Sequence, residues 1–130
     1  MHETMFKRMV VDDGFSELNR GAWCGKNKDQ IGEENMLKFN ACDLSATPRG
    51  GESYPLLCQR VLGARDALLE ITDAGRASCV VSHLQVTRAL LADALDVPTT
   101  QLIDIEVGTA SISCVDYDVD TATFHGISQS

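Results

Sequence analysis

The chain has 130 residues and a formal net charge of −8, from 19 acidic and 11 basic side chains. That length suits one globular domain whose core removes about two thirds of the unfolded surface from water. The acidity argues against nucleic acid or an anionic membrane as partner, since neither gains counterion release or surface attraction from such a chain. No apolar run is long enough to cross a bilayer, and Met1 to Arg8 lacks the apolar stretch of a secretory leader. The expectation is a soluble, cytoplasmic protein. Cys24, Cys42, Cys58, Cys79 and Cys114 are scattered without Cys-x-x-Cys or Cys/His spacing, which points away from a disulfide framework and from a metal site. Cys79 and Cys114 fall in strand-like apolar runs, where buried, inert thiols are expected.

In chain order, Met9-Val10-Val11 reads as a short strand ahead of the acidic turn Asp12-Asp13-Gly14, and Gly21, Gly25 and Gly32 punctuate the next stretch. Lys28 to Phe39 carries Ile31, Met36, Leu37 and Phe39 in a helical pattern that Gly32 weakens. Ala41 to Gly51 is a loop by composition. Ser53 is placed to cap a helix with Pro55 in its first turn and an apolar stripe of Leu57, Val61, Ala64, Leu68 and Ile71, ended by Asp73-Ala74-Gly75. Cys79-Val80-Val81 is a compact β-branched run that predicts a strand to Ser82. Val86, Leu90, Leu91 and Leu95 then predict a helix to about Leu95. Ile103 to Val107 alternates as a strand or strand-like connector, and Ser111 to Tyr117 pairs with Thr121 to Ile127 as a terminal hairpin. Alternation of helices and strands predicts an α/β layer fold.

His83 falls where the predicted strand gives way to the helix. In open α/β sheets the ligand crevice lies at the carboxyl ends of strands, and a following helix N-terminus offers unpaired N–H groups to an anion. A phosphate fits that description, the alternative being an ordinary first-turn histidine.

Three ordered segments bear on function together: Glu17-Leu18-Asn19-Arg20-Gly21-Ala22-Trp23-Cys24-Gly25, Pro48-Arg49-Gly50-Gly51-Glu52-Ser53-Tyr54, and Val80-Val81-Ser82-His83. Over roughly Val10 to Asp118 they resemble the carboxyl-terminal two thirds of the histidine phosphatase (phosphoglycerate mutase-like) superfamily. Gly51-Glu52-Ser53-Tyr54 with Gln59-Arg60-Val61, and Gln85-Val86-Thr87-Arg88 after the histidine, are similar to the fructose-2,6-bisphosphatase branch. The Gly-x-Trp-x-Gly segment is similar to broad-specificity phosphatases. The resemblance implies a three-layer phosphoglycerate mutase-like sheet with flanking helices, lacking the first strand and helix, in a single partial domain over residues 1–130. It implies cofactor-free phosphohistidine chemistry on phosphorylated small metabolites. Glu17, four residues before Gly21, matches the carboxylate that protonates the leaving oxygen and then activates water. His83 matches the second active-site histidine, which bonds the transferring phosphoryl group. Gln85 falls near a substrate-contact position, although Leu84 intervenes, and Glu52 and Ser53 match helix-start residues. Arg49 reads either as a substrate-facing cation or as a solvated loop charge, and Trp23 as a core or cleft-wall aromatic.

The resembled reaction begins at an Arg-His-Gly segment, which this sequence lacks. A second arginine motif on the helix after the first crossover is absent too. The histidines are His2, His83 and His125; His2 only faintly echoes the nucleophile, and His125 belongs to the terminal hairpin or tail. In the resembled fold the first strand neighbours the one ending at His83, so its loss leaves backbone groups unpaired. The chain is therefore expected to pair with another chain, as in a homodimer, or to be a piece of a longer parent, and to lack phosphatase activity alone. A non-enzymatic phospholigand-binding or protein-interaction module is the alternative.

Overall fold

The computed structural model describes residues 9–118 and 121–129, the last three by backbone alone. Among the described residues the regular elements are α1 (Lys28–Ile31), α2 (Glu33–Asn40), α3 (Tyr54–Ile71), α4 (Leu84–Ala94), β1 (Ser111–Tyr117) and β2 (Ala122–Gln129). Short 3-10 turns lie at Asp13–Phe15, Gly21–Trp23, Leu44–Ala46 and Thr99–Asp104.

The core forms where α3 meets α4. Leu57 and Val61 of α3 and Val86, Ala89 and Ala92 of α4 are buried together with Leu18, Phe39, Ala46, Tyr54 and Leu102. Ser53 caps α3 through Oγ, which accepts from the Leu56 amide at 3.3 Å, and Pro55 sits in the first turn, where an amide has no helical partner to lose. The expected stripe is buried only at its amino-terminal end, since Ile71 is 67 % exposed. The pattern over Lys28 to Phe39 divides into two helices at Gly32, whose φ of 98° belongs to a glycine rather than a helix interior. Phe39 bridges Trp23 and Tyr54, its ring centroid 5.3 Å from one and 4.7 Å from the other.

β1 and β2 form the expected antiparallel hairpin, with a register irregularity between Ser113 and Val115 that marks a bulge. Its half-buried face carries Ser111, Ser113, Val115 and Tyr117, leaving Ile112, Cys114 and Asp116 exposed. Arg65 of α3 ties the hairpin to the helices: its guanidinium lies 5.1 Å from the centre of the Tyr117 ring and pairs with Asp93 of α4.

Several expectations need correction. A three-layer sheet is not seen among the described residues; the sheet there has two strands. Cys79 to Ser82 is not a strand, because no backbone partner ladders against it among those residues. Val81 is consequently 92 % exposed. Met9-Val10-Val11 is likewise exposed and pairs with no strand among the described residues. Ile103 to Val107 is no strand either, its start being taken up by the Thr99–Asp104 turn. Cys79 and Cys114 are exposed thiols rather than buried ones, the first for want of a covering strand and the second because it points off the hairpin's open face. Burial instead raises the thiol pKa values of Cys58 and Cys42.

Candidate functional site

Glu17 lies on a loop that is tied down on both sides. The guanidinium of Arg60, from α3, donates through Nη1 to the carbonyls of Gly14 and Ser16, both at 2.9 Å, and to that of Asp13 at 3.4 Å. Its Nη2 and Nε bond Glu52 at 2.6 and 3.3 Å, the planar fork meeting both carboxylate oxygens. Glu52 in turn accepts from the Asn19 amide at 3.0 Å, and its own amide donates to the Asn19 carbonyl at 2.9 Å. The carbonyls before Glu17 and the backbone after it are thus anchored to one helix start. Gly21, with φ of 49°, allows the loop to press against residues 49–51: a Cβ there would fall on the Arg49 carbonyl and the Gly51 amide. The Ala22 amide donates to that same Arg49 carbonyl at 2.8 Å.

Held in this way, the Glu17 carboxylate reaches the start of α4. Oε1 accepts from the Leu18 amide at 2.9 Å and Oε2 from the Gln85 amide at 3.3 Å. Gln85 is the second residue of α4, so Glu17 satisfies one of the N–H groups that the helix cannot pair internally. His83 caps the same helix end with extended backbone (φ −123°, ψ 174°), makes no side-chain cap bond, and leaves its imidazole exposed. Its carbonyl accepts from the Thr87 amide and hydroxyl, each at 3.1 Å. Ser82, one residue earlier, donates its hydroxyl to the Phe15 carbonyl at 2.5 Å, joining the His83 segment to the Glu17 loop. The Glu17 carboxylate and the residue His83 are therefore brought to one helix N-terminus.

Beside this end opens a recess of about 250 Å³. Leu18, Trp23, Met36, Phe39, Tyr54 and Ile103 make its apolar wall; Gln85, Arg20, Lys28 and Arg88 are among its polar lining. Arg88 is fixed by donating Nε to the Ile105 carbonyl at 2.9 Å and Nη1 to Gln85 Oε1 at 3.4 Å. Burial pushes the Tyr54 hydroxyl above its ordinary pKa, against a smaller opposing pull from Arg88 and Arg20.

Glu17, His83 and Gln85 thus come together, and Trp23 is a cleft-wall aromatic. Arg49 is exposed, does not line the recess, and meets the site through its backbone carbonyl. His125 is exposed on the hairpin and bonds Asp116 at 2.7 Å; His2 lies outside the described residues. Sequence reasoning missed Arg60 as the anchor of the Glu17 loop. The signal was faint, an arginine two helical turns after a glutamate at the helix start. Among the described residues no group of three His, Cys, Asp or Glu side chains is placed to hold a metal ion.

Comparison with known proteins identifies related sequences. An uncharacterized protein of Mycobacterium bovis and a bifunctional protein of Mycobacterium tuberculosis are each 32 % identical to the chain over 117 residues, covering 88 % of it and 32 % of their own length. The chain therefore spans about a third of the curated relatives it matches. The family model of the histidine phosphatase superfamily (branch 1) matches residues 2–129, and the chain belongs to that superfamily.

Proposed function

We propose that this member of the histidine phosphatase superfamily is a single, partial phosphatase domain that binds phosphorylated small metabolites at the start of α4 and does not turn them over by itself. The reading is carried by the hydrogen bond from the Gln85 amide to Glu17 Oε2, which brings the candidate acid to the helix end that His83 caps. In it Glu17 is the proton donor to the leaving oxygen, His83 and the free amides of the helix end hold the phosphoryl oxygens, and Gln85 contacts the substrate. Arg49 stays at the rim as a backbone acceptor.

Phosphoryl transfer needs an in-line nucleophile as well as charge stabilisation and an acid. The last two are supplied by Glu17, His83 and the α4 start. No residue of an Arg-His-Gly segment is available to take the phosphoryl group, so no phosphohistidine forms and the cycle stops at binding. The likeness of Gly51-Glu52-Ser53-Tyr54 and Gln85-Val86-Thr87-Arg88 favours the fructose-2,6-bisphosphatase or broad-specificity branch. A nucleophile-bearing segment then comes from a longer parent chain, since a second copy in a homodimer lacks Arg-His-Gly as well. The purified chain is expected to release no phosphate from para-nitrophenyl phosphate; turnover that disappears in His83→Ala would overturn the reading.

The missing Arg-His-Gly segment also favours a second reading, a non-enzymatic module that binds a phospholigand or a protein. Sequence upstream of Met1 in the gene separates the two. An in-frame strand ending in Arg-His-Gly favours the enzyme, and a true start at Met1 favours the binding module.

A further inference from the structure

In a chain with 19 acidic and 11 basic residues, the recess beside the α4 start is lined by three cations, Arg20, Lys28 and Arg88, and by no carboxylate. Among the described residues none of the three forms an ion pair. Arg88 spends its bonds on neutral acceptors, the Ile105 carbonyl and Gln85 Oε1. The same recess is lined by the apolar side chains of Trp23, Met36 and Ile103. A single phosphoryl group at the helix end does not account for so much unneutralised positive charge or for an apolar wall. The combination suits a molecule with a flat apolar body and a second negative group, since a concave, partly apolar pocket with a few charged groups takes its specificity from where those groups stand.

We propose that the recess selects phosphomonoesters whose leaving group carries an aromatic or similarly apolar body together with a second anionic group, the body lying against Trp23 and the second anion meeting Arg20 and Lys28. This rests on the reading of Glu17 and His83 as the phosphoryl end of the site. A sugar phosphate without a second anion leaves both the wall and the two exposed cations unused, and is the poorer ligand.

Trp23 is the chain's one tryptophan, so its fluorescence reports occupation of the recess without any turnover. The probes are methylphosphonate, benzylphosphonate and 4-(phosphonomethyl)benzoate, none of which has a phosphoester bond to hydrolyse. The ring is expected to tighten binding about tenfold over methylphosphonate. The carboxylate adds about fivefold more, a gain that vanishes in the double variant Arg20→Gln, Lys28→Gln. Both substituted residues are exposed, so the variant keeps the core intact. Equal affinity for methyl- and benzylphosphonate, or a carboxylate gain that survives the double substitution, overturns the inference. Methylphosphonate binding indifferent to His83→Ala overturns instead the assignment of the phosphoryl end, and no binding of any probe at millimolar concentration overturns both.

Discussion

The two sides of the candidate site are held by different means. The Glu17 loop is fixed within its own chain, with Arg60 on three of its carbonyls, Glu52 bonding the Asn19 backbone through its carboxylate and its amide, and Gly21 pressed onto residues 49–51. The segment entering His83 is tied to that loop by the Ser82 hydroxyl on the Phe15 carbonyl and has no backbone ladder among the described residues. The Glu17 loop is thereby fixed by charge-assisted bonds, whereas the segment entering His83 has no comparable anchor among the described residues. The apolar Val81 is left in water as a result.

That contrast can be broken from the strongly held side first. Gly21→Ala forces a Cβ into the Arg49 carbonyl at a φ that disfavours alanine, and a loss of about 3 kcal/mol in denaturant unfolding is expected. Arg60→Ala removes the loop's anchor and strands Glu52, which is only 14 % exposed. The expected cost is about 2 kcal/mol, with faster amide exchange at residues 17–19, and Arg60→Lys recovers only part because it lacks the fork. Ser82→Ala probes the weakly held side. About 1 kcal/mol is expected from one hydrogen bond, with exchange quickening at residues 15 and 82–84 while residues 17–19 stay protected. Loss of protection on both sides in this variant would show that the halves are not held independently.

The smallest effect concerns the shared wall. Burial raises the Tyr54 pKa, so the neutral phenol's contribution is complete below the ordinary tyrosine value of about 10 and is lost as pH rises through the higher folded value. Thermal midpoints measured across that alkaline range should fall for the wild type and fall less for Tyr54→Phe. Cys58, raised by burial in the same way, begins its own loss above about pH 8.5.

Legibility in the sequence divides along the same line. α3 with its Ser53 cap, α4, and the terminal hairpin depend on neighbours within a few turns or across one tight loop, and their periodicity carried them. The run Cys79-Val80-Val81 has strand composition, yet a strand exists only where another lies beside it, and composition says nothing of that. The exposure of Cys79 was lost with it, and that of Cys114 because alternation alone does not say which face of the hairpin is covered. At the site, Glu17, His83 and Gln85 were reached through residue spacing and family resemblance. Arg60 was not recognised as an anchor, because the carbonyls it holds on the Glu17 loop lie 44 to 47 residues away in the chain. The charge of the recess was half visible: Arg20, Lys28 and Arg88 stand near the motifs, but only folding shows that they line one recess without a carboxylate.

The central claim, that the start of α4 between Glu17 and His83 holds a phosphoryl group, is tested most directly by amide NMR shifts during titration with inorganic phosphate. The expected result is saturable shifts confined to Leu84, Gln85 and Val86 and their neighbours on the Glu17 loop, weakened at least severalfold in His83→Ala. Shifts scattered over the surface, or concentrated at the hairpin and unchanged in His83→Ala, would contradict it.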